Sequence, residues 1–159
     1  MKGSELKVDK TWTLFLDRDG VINLHYPNDY VKNWNEFYFL EGVMEALKDL
    51  SHCFGRIIIV TNQQGVGKGI MSDEDLKFIH AEMLKEIRKY GGRVHMIYAA
   101  TEKVENDFWK LRKPNIGMAK QARKDFPAKL APGPAGCSLP NDTRSGRAVD
   151  RLRRRWGKS

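Results

Sequence analysis

The chain has 159 residues, 41% hydrophobic and 30% charged, which suits one domain with a sizeable core and is too apolar and aromatic for wholesale disorder. Its longest aliphatic run, Ile57-Ile58-Ile59-Val60, falls far short of a membrane span, and Met1 to Glu5 hold no apolar signal core, so no membrane partner is expected and a cytoplasmic location is. The net charge of +8 is uneven: residues 128–159 carry eight Lys/Arg against two Asp, so the body is almost balanced and a nucleic-acid partner, which would bind that basic tail nonspecifically, is not the expected one.

In chain order, residues 1–10 read as a polar lead-in. Thr11 to Leu16 is an apolar strand that runs into Asp17-Arg18-Asp19-Gly20. Residues 23–41, with Tyr26, Tyr30, Trp34, Phe37, Tyr38 and Phe39, form a long structured connection of the functional kind. Gly42 to Leu50 is a short helix with Val43, Ala46, Leu47 and Leu50 on one face. Arg56 to Thr61 is a strand buried on both faces. A glycine-rich loop, Asn62 to Gly69, follows. Ser72 caps a helix with an acidic first turn, and Leu76, Ile79, His80, Met83, Leu84 and Ile87 line one face as far as Tyr90. Gly91-Gly92 ends it, and Arg93 to Ala100 is a third strand. Pro114 suits the first position of a helix running to about Asp125. Beyond Asp125 the sequence offers no buried strand: residues 127–146 hold four prolines and three glycines, and an arginine-rich end follows. Cys53 and Cys137 could make at most one disulfide, and reduced thiols are the simpler reading.

Strands alternating with helices imply a mainly parallel sheet with helices on both faces, and a ligand site beyond the carboxyl ends of the strands. Three loops converge there. In the first, Asp17 and Asp19 are separated by one residue at a strand end and point to the same side. Two carboxylates that close need a divalent cation, and Mg²⁺ prefers such oxygens. One could attack phosphorus while the other handles protons. The same four residues also suit a plain surface turn. In the second loop, the Thr61 hydroxyl and the backbone after it suit a phosphate oxygen, or an ordinary glycine-rich turn. This loop fails as a Walker A cradle, because Asn62 and Gly69 stand where Gly and Ser or Thr are required. In the third, Arg112-Lys113-Pro114 places two cations at a helix start. Lys113 could neutralise a transferring phosphoryl group and Arg112 could clamp a second anion, or both could sit on a solvated basic turn.

Phe15 to Asn23, Val60 to Gly65 and Arg112-Lys113-Pro114, taken together, closely resemble the first three motifs of the haloacid dehalogenase-like phosphatases. The similarity is greatest to the branch with D,D-heptose 1,7-bisphosphate and histidinol-phosphate phosphatases, and Asp29 to Val43 matches that branch's connecting segment. The resemblance covers roughly residues 12–126. It implies a Rossmann-like three-layer α/β/α sandwich without a large cap domain, and a Mg²⁺-dependent phosphomonoesterase of a small phosphorylated sugar. It further implies Asp17 as nucleophile and metal ligand, and Asp19 as general acid/base with its carbonyl on the metal. Thr61 and the Asn62 region would hold phosphate, Lys113 would stabilise charge, and Arg112 would select substrate. A histidinol-phosphate or polynucleotide 3′-phosphatase, and a catalytically impaired phosphate- or nucleic-acid-binding domain, are the alternatives.

Two features depart from the branch. Residues 99–111 contain no Cys and no His, so the zinc loop many members carry is not expected. The fourth motif, an apolar strand ending in Gly-Asp with a second Asp four residues on, is not evident. Asp142 could take its first, metal-binding position, but Gly146 replaces the second Asp. The reading is therefore a phosphatase core over residues 1–126 and an atypical, poorly ordered or altered segment over 127–159, either shifted in reading frame or from an enzyme that completes its metal site differently.

Overall fold

β1 (Trp12–Leu16) and β2 (Arg56–Asn62) form the centre of a parallel sheet, with Leu14 opposite Ile57 and Leu16 opposite Ile59. The computed structural model describes residues 9–102, 113, 117–127 and 129–131. β3 (Met96–Ala100) adds parallel to β2, and β4 (Lys129–Ala131) adds parallel to the start of β1, giving the order β3-β2-β1-β4. β4 is a strand beyond Asp125, where the sequence offered no buried one.

The period-two alternation of β1 and β2 builds two separate cores. Leu14, Leu16, Ile57 and Ile59 pack with α1 (Val43–Cys53) and, beyond the single turn α2 (Gln64–Gly67), with α3 (Asp73–Tyr90) on one face of the sheet. Ile58 and Val60 pack with Met118 and Ala122 of α4 (Gly117–Asp125) on the other. The result is the expected three-layer α/β/α arrangement. Burying β2 on both faces is why its sequence is an unbroken aliphatic run.

The ends of α3 follow from side-chain chemistry. The Ser72 hydroxyl accepts from the Asp75 N–H at 3.0 Å, and the Asp75 carboxylate accepts from the Ser72 N–H at 3.0 Å, a reciprocal capping box. Gly91 closes the helix at φ 99°, a left-handed conformation that glycine adopts without a Cβ clash. Cys53 ends α1, and Cys137, the other cysteine, lies outside the described residues.

Gly55 has a steric reason. A Cβ there would lie 1.8 Å from the Lys10 carbonyl oxygen, while the Gly55 N–H donates to Trp12 at 3.1 Å. Gly55→Ala is expected to destabilise the fold by about 1–3 kcal/mol, the usual cost of forcing atoms into occupied space. An unchanged thermal melt would contradict this packing.

Strands β2 and β3 lie on one side of β1 and β4 on the other. The carboxyl end of β1 therefore lies inside the sheet, on the strand-end edge where open α/β sheets bind ligands.

Candidate active site

Asp17 follows the last residue of β1 and Thr61 and Asn62 end β2, so parallel pairing alone brings the first two loops to one edge. The first turn is shaped by its own backbone. The Arg18 carbonyl accepts from the N–H groups of Val21, Ile22 and Asn23, at 3.2, 2.8 and 3.3 Å, and Gly20 takes φ 76° to let the chain double back. Leu40 N–H then donates to Ile22 at 2.9 Å, which ties the aromatic connection onto the turn.

The third loop reaches the same place. Lys113 Nζ lies 2.5 Å from Asp17 Oδ2, and the Arg18 N–H donates to Asp17 Oδ1 at 2.7 Å. Both oxygens of Asp17 are thereby oriented, and a third of the side chain still faces solvent. Asn62 makes this possible. Its amide donates to the Lys113 carbonyl at 3.2 Å and its Oδ1 accepts from the Lys113 N–H at 2.9 Å. The Asn62 side chain, at the cavity as expected for the phosphate-holding region, also clamps the lysine's backbone.

Asp19 is enclosed by donors. Arg18 Nη2 reaches its two oxygens at 2.9 and 3.2 Å, Asn23 Nδ2 donates at 2.9 Å, and Gln63 Nε2 donates at 2.6 Å. Burial alone would raise the Asp19 pKa; the Arg18 charge and the hydrogen bonds from Asn23, Arg18 and Gln63 outweigh it and hold the carboxyl below the usual carboxylate range. Gln63 also donates to the Thr61 hydroxyl at 2.9 Å, so Thr61, itself fully buried, is joined to Asp19 through one amide. Asp17, Asp19, Asn62 and Lys113 line a cavity of about 180 Å³ with Tyr26 and Tyr30. Gly65 has a role at its rim: a Cβ there would meet the Tyr30 ring at 3.0 Å, and Lys68 Nζ sits 3.2 Å from the Tyr30 hydroxyl.

The structure thus brings Asp17, Asp19, Thr61, Asn62 and Lys113 together. Arg112 and Asp142 lie outside the described residues. Sequence reasoning missed Arg18, Asn23 and Gln63 as partners of Asp19, and His80 as a partner of Arg18, 3.1 Å from its Nη1. The signals were present. Strand alternation turns Arg18 inward, where a charge must be paired, and His80 is a polar residue on the apolar stripe of α3.

Magnesium fits the donor chemistry. Among the described residues no three His, Cys, Asp or Glu side chains cluster as a ready-made cage. Mg²⁺ needs none, since it commonly takes one or two carboxylates, keeps several waters and is completed by substrate phosphate. Asp17 and Asp19 supply oxygen donors of that kind beside the cavity.

The buried polar cluster also sets an acid limit. Burial, together with the Arg18 charge, pushes the His80 pKa down from 6.5 to about 4. Between those values the unfolded chain takes up a proton that the folded chain refuses, so stability falls as pH drops through that window. The Asp19 carboxylate adds a loss in the same direction at lower pH, as the pH passes its depressed folded value. His80→Gln is expected to lose less melting temperature than the wild type between pH 6.5 and 4. Parallel curves would contradict the placement.

The chain is similar to known phosphatases. Residues 13–134 match the family model described as polynucleotide kinase 3 phosphatase. A D-glycero-alpha-D-manno-heptose-1,7-bisphosphate 7-phosphatase of Mycobacterium tuberculosis is 49% identical over 80 residues, which are 50% of this chain and 42% of that protein. The beta-heptose counterpart of Rhodopseudomonas palustris is 33% identical over 122 residues, covering 73% of this chain and 67% of the relative. The solved D,D-heptose 1,7-bisphosphate phosphatase of B. bronchiseptica, complexed with magnesium and phosphate, superposes with a TM-score of 0.68 at 28% identity, over 73% of this chain and 64% of that one. The chain spans less than half the length of the Mycobacterium relative it matches.

Proposed function

This chain belongs to the polynucleotide kinase 3 phosphatase family, within the haloacid dehalogenase-like phosphatases, and from that premise we propose that it is a magnesium-dependent phosphomonoesterase of a small phosphorylated sugar of the heptose bisphosphate type. The observation that carries the reading is the Lys113–Asp17 contact of 2.5 Å at the cavity, with both Asp17 oxygens held in place by donors.

Asp17 attacks the phosphorus of the ester and the bond from phosphorus to the sugar oxygen breaks. The departing oxygen takes a proton from Asp19, leaving an aspartyl-phosphate on Asp17. Asp19, now a carboxylate, takes a proton from water as that water attacks phosphorus. The bond from phosphorus to Asp17 breaks, inorganic phosphate leaves and both side chains return to their starting states. Negative charge arriving with the phosphate favours the protonated form of Asp19 needed for the first half. Lys113 offsets the charge that develops on the transferring oxygens. Asp17 and the Asp19 carbonyl, with Asp142, would hold Mg²⁺, which neutralises phosphate charge when bound.

A second reading has an observation of its own, since the matching family model takes its description from a 3′-phosphatase of polynucleotides. The relatives named for heptose bisphosphates favour the sugar. Turnover of a panel of heptose and hexose phosphates, histidinol phosphate and a 3′-phosphorylated oligonucleotide, with Mg²⁺ and with chelator, separates the two. The expected result is Mg²⁺-dependent release of phosphate from a sugar ester. Release from the oligonucleotide alone would install the second reading, and no release from any member would reject both.

A further inference from the structure

Arg18 is the largest fully buried side chain among the described residues. One end of its guanidinium holds the Asp19 carboxylate, through Nη2 at 2.9 and 3.2 Å and Nε at 3.3 Å. The other end, Nη1, lies 3.1 Å from His80 Nε2, and the Phe37 ring covers the group at 6.0 Å. Arginine has donors only, so His80 Nε2 meets it as an acceptor, which assigns the ring proton to Nδ1. The depressed pKa of His80 is in keeping with a ring that stays neutral beside that cation.

We propose that His80 is a positioning residue for Asp19, acting through Arg18: it anchors the far end of the buried guanidinium so that the near end aims the carboxylate at the departing oxygen. The inference rests on the reading of Asp19 as the proton donor. A buried charged N–H without an acceptor is costly, so removing the imidazole acceptor lets the fork turn toward another partner and withdraws part of its hold on Asp19. Phe37, which lies over the guanidinium, is itself braced by Trp34 stacked at 5.0 Å and by Phe39 edge to face at 5.0 Å, so the ring offers Nη1 no acceptor like the His80 nitrogen.

The test uses two esters of different leaving group. A sugar phosphate must expel a poor alkoxide and depends on a proton donor. Para-nitrophenyl phosphate expels a stable anion and does not. His80→Leu is expected to lower kcat/KM on the sugar phosphate, which reports the leaving-group step and not the later attack of water, by about tenfold or more, a part of what general acids supply, while kcat/KM of the nitrophenyl ester stays near wild type. His80→Gln, whose amide oxygen can accept from Arg18, is expected to restore most of the loss. Should His80→Leu fail to fold, Arg18→Lys keeps the charge without the fork and predicts the same split. Equal losses of kcat/KM on both esters, no loss on the sugar phosphate, or no rescue by Gln would each overturn the positioning role. A wild-type chain that hydrolyses neither ester would instead reject the phosphatase reading, and the inference with it.

Discussion

Replacing Asp17 by Asn is expected to lower turnover of the sugar phosphate by roughly 10⁴- to 10⁶-fold, the scale on which enzymes lose activity when a covalent nucleophile is removed. The amide nearly preserves shape, so the Arg18 N–H at 2.7 Å retains an acceptor and the fold is expected to hold. What is lost is the negative charge that attacks phosphorus and that pairs with Lys113. Steady-state kinetics with a chelator control, together with thermal melting, checks this. A variant that keeps even a tenth of wild-type turnover would remove Asp17 from the role.

Lys113→Met is the second large effect, an expected loss of about 10²- to 10³-fold in kcat, comparable to removing one preorganised donor from a developing anion. Methionine fills the same stem volume without the charge. The Asn62 clamp acts on the Lys113 backbone, so the loop should stay where it is. The loss should therefore appear in kcat more than in stability. A variant with unchanged kcat and raised KM would mean that Lys113 only gathers substrate.

Much of the fold was legible because its signals are local. The aliphatic run of β2, the Ser72 cap and the Gly91 stop each act within a few residues, and each element lies close to where those signals put it. The convergence of the three loops was legible for a topological reason, since alternating strands and helices in a parallel sheet place every strand-to-helix loop on one edge. β4 was not legible: Lys129-Leu130-Ala131 is too short to show a period, and its pairing with Trp12–Leu14 joins residues more than a hundred positions apart. The Asn62 clamp joins residues far apart in the chain, so nothing near Asn62 distinguishes a phosphate ligand from a backbone anchor. Arg18 reads as a surface cation until the turn after β1 closes over it beneath Phe37. The substrate-selecting role of Arg112 and the metal-binding role of Asp142 rest on the resemblance alone and lie outside the described residues.

Catalysis through Asp17 requires phosphorus to become bonded to the protein at the end of β1. Brief mixing of the full chain with Mg²⁺ and a sugar ester carrying radiolabelled phosphate, followed by acid quench and peptide mapping, reads this directly. The expected result is hydroxylamine-sensitive label on the peptide containing Asp17 and none in Asp17→Asn. Label on another residue, or full turnover with no labelled protein at any mixing time, would contradict it.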